Sequence, residues 1–300
     1  MKYATANAFR AALDQRLMSQ AEKLGVPLVR LRKLVVFDRL MARLLVAAPN
    51  RWVLKGAVAI HFRVGPRFRT TKDMDLGRQD NDAAATADFL AAQAVDLGDY
   101  FTFIIERGRR PNPAVEDVAV RYHVTAEIAG RPFEDVTVDI GFSDPVLAAP
   151  EMLRGPNLLD FAEIPPAEVP VLPLEQHLSE KVHALTRSYA GSQSSSRVKD
   201  LIDLVAMATF FGFHAGTLRR ALEVTFADRG THPLPSALLL PSAQWRIAYR
   251  RMAAEVGLDA DMTAGYQRAK AFLEPVLTGA APGDARWDSI RQAWNRKVIS

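Results

Sequence analysis

Two aspartates separated by one residue, Asp73 and Asp75, have the type and spacing that most directly indicate chemistry in this sequence. They belong to a predicted strand, T-T-K-D-M-D-L at 70–76, in which successive side chains point to opposite faces. Both carboxylates therefore project to one side. Two carboxylates this close repel each other unless a cation lies between them, and Mg²⁺ binds one or two carboxylates together with water and phosphates. The alternative is a solvated strand edge.

The residues around this pair include further groups that suit an anionic ligand and a metal. Lys55 and Gly56 follow a short apolar strand and precede a predicted helix. A glycine lets backbone approach a phosphate closely, and N–H groups at a helix N-terminus favour an anion. A third carboxylate, Asp139, lies between apolar residues of a later strand and needs a partner if it is buried as a charge. Neutral burial and an edge position are the alternatives. Three strand carboxylates with such a glycine are the ingredients of metal-assisted phosphoryl or nucleotidyl transfer.

Two predicted helices in the second half carry other charged candidates. Lys181 lies off the apolar stripe of the first helix and could neutralise a triphosphate, whereas an ordinary solvated lysine is the alternative. On the next helix, Asp200 and Asp203 are three residues apart and share one face. They could orient Lys181, Arg197 or a ribose hydroxyl. An ordinary polar helix face is the competing interpretation.

Thr71 lies two residues before Asp73, so its hydroxyl is predicted on the side of the carboxylate pair. We hypothesise that the hydroxyl contacts phosphate. Phosphorylation of Thr71 would then place about two negative charges beside the metal site and abolish nucleotide binding. Lys72 is a neighbouring candidate for nucleotide binding. A threonine present only for its β propensity is the alternative.

The composition limits which other chemistry is available. The 300 residues include no cysteine, so disulfides, thiolate nucleophiles and cysteine-based zinc sites are excluded. The six histidines show no metal-ligand spacing, and neither a nucleophile elbow nor a P-loop occurs. A formal net charge of +4 is compatible with an anionic partner but does not require one. Without an apolar run of roughly 20 residues or a signal-like N-terminus, we expect no membrane span and a cytoplasmic location.

The elements that must position these residues begin as an α/β pattern. Two N-terminal helices precede alternating strands and helices. Three further β-like runs are predicted to extend the sheet with antiparallel strands, at 101–106, 118–128 and 133–142.

A change of pattern divides the chain. Between residues 145 and 173, seven prolines and little periodicity predict an irregular linker. Helical patterns follow it, the last at 286–298. We therefore expect one domain at 1–150 and a helical domain at 151–300.

Four segments resemble, in order, the motifs of the AbiEii/MenT nucleotidyltransferase toxins, members of the DNA polymerase β-like nucleotidyltransferase superfamily. They are W-V-L-K-G at 52–56, R-T-T-K-D-M-D-L at 69–76, L-S-E-K-V-H-A-L at 178–185 and R-V-K-D-L-I-D-L at 197–204. The resemblance implies an α+β fold. It comprises a polymerase β-like nucleotidyltransferase core with a mixed sheet, and a helical C-terminal domain that completes the nucleotide site.

The resemblance also implies roles for individual residues. Asp73 and Asp75 would hold Mg²⁺, and Asp139 matches the third acidic position, as a further metal ligand and candidate base. Lys181 and Asp203 match the family's lysine and aspartate of the helical half. The candidates for nucleotide binding are Lys55, Gly56, Thr71, Lys72, Lys181, Arg197 and Asp200.

The function implied by the resemblance is that of a toxin in a toxin–antitoxin system. Characterised members transfer nucleotides, often pyrimidines, from an NTP to the 3′ end of tRNA and thereby block aminoacylation. A cognate antitoxin is the further partner. Basic clusters such as Arg250 and Arg251 would suit an RNA backbone. Two alternatives stay open: transfer to a small molecule such as an aminoglycoside, and a catalytically silent module that binds an antitoxin or RNA.

Overall fold

The computed structural model describes residues 2–66, 68–69, 71–109, 120–142, 148–187 and 197–296. Its contacts divide the chain into two compact units. The first comprises Met1–Asp144 and Pro150–Leu172, and the second comprises Pro145–Ala149 and Pro173–Ser300. Each unit buries its own apolar residues, and the mixed sheet of the first confirms the predicted α+β class.

The first unit contains helices on a seven-stranded sheet. Its elements are α1 (Ala6–Leu24), α2 (Leu28–Ala47), β1 (Val53–Lys55), α3 (Gly56–Val64), β2 (Asp73–Arg78), α4 (Asp82–Gln93), β3 (Phe101–Arg107), β4 (Val120–Ile128), β5 (Arg131–Phe142), β6 (Glu151–Arg154) and β7 (Glu168–Val171).

Strand β2 is the central strand of this sheet, whose order is β3-β4-β5-β2-β1-β7-β6. It pairs with β1 in the antiparallel sense and with β5 in the parallel sense. The expected antiparallel extension therefore holds for β3 and β4 but is wrong for the β2–β5 pair. The chain passes through α4, β3 and β4 before β5 returns beside β2, and this long connection permits the parallel orientation.

One face of β2 is buried and the other is half-buried. Met74 and Leu76 are fully buried, while Asp73 and Asp75 alternate with them and keep partial exposure. On the buried side, Phe89 of α4 stacks on Tyr122 of β4, with ring centroids 4.5 Å apart. The alternation read from the sequence thus corresponds to a real apolar face and a real polar face.

The predicted linker between residues 145 and 173 is wrong in part. Strands β6 and β7 lie within it and pair with each other, and β7 also pairs with β1. Because these strands complete the sheet, residues 150–172 belong to the first unit, and the division expected at 150 falls instead at Leu172. The prolines concealed the strands, since Pro170 itself occupies a position in β7, which pairs with the edge strand β6.

The second unit is mainly helical. Its elements are α5 (Leu174–Thr186), α6 (Val198–Phe210), α7 (Ala215–Arg229), α8 (Arg246–Glu255), α9 (Met262–Leu277), β8 (Arg286–Asp288) and β9 (Ala293–Asn295). Among the described residues of both units, no helix has the length and apolar character needed to cross a bilayer.

The helix predicted at 286–298 is wrong, because the described part forms the β8–β9 hairpin. Trp287 and Trp294 lie opposite each other, and both pack against Phe272 of α9. Ile290, which completed the apparent helical stripe, is at the turn and is 91% exposed. Two cross-strand tryptophans with helix-like spacing therefore produced the error.

Candidate active site

Asp75 belongs to a row of charged residues that crosses four strands. In the strand register, Lys55 of β1 lies opposite Asp75 of β2, Asp75 lies opposite Asp139 of β5, and Asp139 lies opposite Arg121 of β4. Residues directly opposite in neighbouring strands project to the same face. The row therefore places two adjacent carboxylates between a lysine and an arginine.

Asp73 lies two residues before Asp75 on the same face of β2. It is opposite Thr137 of β5, and both aspartates are half-buried. The structure thus brings Asp73, Asp75 and Asp139 to one patch of the sheet, as the sequence predicted.

Gly56 lies directly against the carboxylate of Asp75. A Cβ atom added at Gly56 would be 1.7 Å from Oδ2 of Asp75, and the residue has a φ of +62°. The sequence predicted a glycine for its approach to phosphate, but the structure shows that Asp75 already requires it. Since Gly56 is also the first residue of α3, the positive end of the helix dipole lies beside this carboxylate.

Asp139 is held by Arg121, a residue that no pattern in the sequence indicates. The Nε of Arg121 donates to Oδ1 of Asp139 at 2.7 Å, and its Nη2 donates to Oδ2 at 2.8 Å. The side chain of Asp139 is only 8% exposed, so the predicted need for a charged partner is met by this guanidinium. The predicted roles of Asp139 as metal ligand and base must compete with this ion pair.

Thr71 and Lys72 lie just before β2 rather than in it, so the predicted strand position of Thr71 is wrong. The hydroxyl of Thr71 donates to the carbonyl oxygen of Asp73 at 3.2 Å and accepts from its N–H at 3.4 Å. These local bonds form a turn that competes with the strand ladder. The Lys72 side chain is exposed, while its carbonyl accepts from the N–H of Thr137. Thr70 lies outside the described residues.

His61 of α3 contacts two backbone carbonyl groups in the segment that precedes Asp73. Its Nδ1 faces the carbonyl oxygen of Gly65 at 3.2 Å, and its Nε2 faces that of Arg69 at 2.9 Å. Burial lowers the pKa of His61 to about 4, against the raising effect of both carbonyls. The ring is therefore neutral near pH 7, when only one nitrogen can donate.

In the second unit, Lys181 joins the two helices α5 and α6. Its Nζ lies 3.2 Å from Oδ2 of Asp203 and 3.5 Å from Oδ1 of Asp200. Asp200 also accepts from Nη1 of Arg197 at 2.9 Å. Because Asp203 is completely buried, its charge depends on such a partner. The contacts expected from the three-residue spacing of the two aspartates are thus present.

The donor set of Asp73 and Asp75 fits a hard divalent cation. Both carboxylates are half-buried on one face, and that of Asp75 lies against the backbone of Gly56. No three histidine, aspartate or glutamate side chains form a closed metal-binding group in the described part of the chain. Mg²⁺ does not require one, since it binds to one or two carboxylates and fills the remaining positions with water and substrate phosphates.

Comparisons with known proteins show the family and the fold. The family model described as nucleotidyl transferase AbiEii toxin, type IV toxin–antitoxin system, matches residues 39–278. The fold is similar to that of MenT4, a nucleotidyltransferase toxin from Mycobacterium tuberculosis, with a TM-score of 0.59 and 17% identity over 94% of this chain and 92% of that one.

A second solved structure, JHP933 from Helicobacter pylori, gives a TM-score of 0.47 and 15% identity over 83% of this chain and 93% of that one. A search of curated proteins finds no match. The similarity to MenT4 confirms the nucleotidyltransferase fold predicted from the sequence.

The contact between Gly56 and Asp75 predicts a specific cost for a side chain at residue 56. Gly56→Ala should lower the free energy of unfolding by about 1 kcal/mol for the positive φ, and by a further 1–3 kcal/mol, roughly, for the clash with Asp75. Gly25→Ala is the matched control, because Gly25 has a φ of +65° and open space at its Cβ. Chemical denaturation of both variants measures the difference, and equal losses would contradict the contact.

The buried neutral His61 predicts a pH dependence of stability. In the unfolded chain its pKa returns to about 6.5, so below that pH unfolding takes up a proton. The free energy of unfolding should therefore fall between pH 6.5 and 4, by about 3 kcal/mol in all. Denaturation at several pH values tests this: His61→Gln should flatten the dependence, and His123→Gln, which changes an exposed histidine, should not. An unchanged slope in His61→Gln would exclude His61 as its source.

Proposed function

Because the chain belongs to the AbiEii family of nucleotidyltransferase toxins of type IV toxin–antitoxin systems, we propose that it transfers a nucleotide, a pyrimidine, from an NTP to the 3′ end of tRNA. The observation that carries the proposal is the Asp73–Asp75 pair on the central strand, next to Gly56 and Lys55. Such a pair can bind the Mg²⁺ that accompanies a nucleoside triphosphate.

In the proposed reaction, the terminal 3′-hydroxyl oxygen of the tRNA attacks the α-phosphorus of the NTP. A bond forms between these atoms, and the bond from the α-phosphorus to the oxygen that bridges to the β-phosphorus breaks, so that pyrophosphate leaves. The hydroxyl proton passes to solvent, because both oxygens of Asp139 already accept hydrogen bonds from Arg121. When bound to Asp73 and Asp75, Mg²⁺ supplies Lewis-acid polarisation of the phosphoryl oxygens and stabilises the leaving charge.

The protein contributes cations and positioning. Lys55 is the last residue of β1 and the N-cap of α3, where backbone N–H groups favour phosphate. Lys181, whose position Asp200 and Asp203 set, is a further candidate for contact with a triphosphate. Arg197 and the exposed Lys72 are further candidates for phosphate contact, and Thr71 for contact through its hydroxyl.

The biological consequence follows from the site of addition. A nucleotide added to the 3′ end covers the hydroxyl that receives the amino acid, so the tRNA can no longer be charged. This activity in the cytoplasm arrests growth, and a cognate antitoxin counteracts it. Arg250 and Arg251, both exposed on α8, are candidates for contact with the RNA backbone.

The assay is incubation with each labelled NTP, Mg²⁺ and total tRNA. The wild-type protein should label tRNA at its 3′ end, most strongly with a pyrimidine nucleotide. Asp73→Asn should lower the rate at least about 100-fold, because two carboxylates no longer hold the cation. Asp135→Asn is the control, since Asp135 is an exposed carboxylate of the neighbouring strand β5, and it should stay within about twofold of the wild type.

Two outcomes would contradict the proposal. Label on an aminoglycoside instead of tRNA would assign the same core to a small-molecule acceptor. No transfer to any acceptor, with growth arrest by Asp73→Asn equal to that by the wild type, would assign the chain to a silent binding module.

A further inference from the structure

The ion pair between Arg121 and Asp139 occupies the place where a nucleotidyltransferase of this kind was predicted to use a third metal-binding carboxylate. Asp139 lies directly opposite Asp75 on the adjacent parallel strand. Neighbouring strands are about 4.8 Å apart, so two ionised carboxylates at these positions repel each other. A cation between or beside them is required, and the structure already holds one at Asp139.

Arg121 binds Asp139 in a bidentate arrangement. Nε and Nη2 of Arg121 each donate to a different oxygen of Asp139, at 2.7 and 2.8 Å. The side chain of Asp139 is 8% exposed and that of Arg121 is 29% exposed. A bidentate guanidinium fixes both the position and the orientation of a carboxylate, which a lysine cannot do.

A β-bulge in the β4–β5 hairpin brings Arg121 to this position. The register shifts between Ala126 and Glu127, because β5 carries one additional residue, Phe133, that is not paired. Without the shift, Arg121 would be opposite Val138, whose side chain points to the buried face. A shift of one residue exchanges the two faces of a strand, so the bulge is what directs the arginine to the carboxylate row.

We propose that Arg121 takes the place of a second metal ion at Asp139. The metal site then consists of Asp73 and Asp75 and binds one divalent cation. Asp139 is a positioning residue for the row and not a metal ligand, and Arg121 supplies the positive charge that a second cation would otherwise provide. The inference rests on the proposed nucleotidyl transfer, because that reaction is what calls for the cation.

The test is the number of Mn²⁺ ions that bind, measured by calorimetric titration and by electron paramagnetic resonance of free Mn²⁺. The wild-type protein should bind one ion, and Asp75→Asn should lose it. Asp139→Asn should keep it with an affinity within about threefold. Arg121→Gln should bind a second ion, or bind the first at least about tenfold more tightly, because Asp139 becomes available.

Arg107→Gln is the matched control, since it removes an arginine from the neighbouring strand β3 that pairs with Asp82, a carboxylate 46% exposed. Its Mn²⁺ binding should equal that of the wild type. Circular dichroism and thermal unfolding show which variants are folded, and Asp139→Asn keeps the test decisive if Arg121→Gln does not fold.

Two results would overturn the inference: two Mn²⁺ ions bound by the wild type, or loss of the ion in Asp139→Asn equal to that in Asp75→Asn. These measurements require no turnover, so they are separate from the labelling assay. A protein that binds one Mn²⁺ as described but labels no acceptor would refute the proposed function and leave the ion count intact. A protein that labels tRNA but binds two ions would refute the inference of a single ion and leave the proposed function intact.

Discussion

The carboxylates of Asp75 and Asp139 lie side by side on adjacent strands, and the repulsion between them is the constraint that the neighbouring groups of the first unit have to meet. Lys55 and Arg121 close the row at either end, and Gly56 brings the N-terminus of α3 against Asp75. Each of these groups reduces the repulsion between the two carboxylates. In the proposed function, the negative potential of the same carboxylates attracts a divalent cation to Asp73 and Asp75.

The sequence predicted the carboxylate face because strand alternation is a local property. Asp73 and Asp75 alternate with the buried Met74 and Leu76, and no long-range information is needed to see it. Arg121 could not be found in this way. Its place opposite Asp139 depends on a one-residue bulge at Phe133. No pattern in the sequence of this hairpin predicts that the pairing register of β4 and β5 shifts there.

The other differences between sequence and structure have the same origin. Strands β6 and β7 are short, and β7 contains Pro170. The pairing of β7 with β1 and of β6 with β7, rather than local propensity, makes them strands. Trp287 and Trp294 have the spacing of a helix stripe but pair across a hairpin. The indole N–H of Trp287 donates to the carbonyl oxygen of Ala208 in α6, and that of Trp294 donates to the carbonyl oxygen of Phe272 in α9, each at 2.7 Å. The contacts of Lys181 with Asp200 and Asp203 were predictable, since they need only helical periodicity and two packed helices.

The most direct test of a single metal ion at Asp73 and Asp75 is anomalous X-ray scattering from crystals grown with Mn²⁺ and an NTP analogue whose bond between the α- and β-phosphates cannot be cleaved. A one-metal site predicts a single manganese peak bonded to carboxylate oxygens of Asp73 and Asp75 and to the phosphates, with Arg121 still paired with Asp139. A peak bonded to Asp139 with Arg121 displaced, or manganese bound away from Asp73 and Asp75, would contradict it.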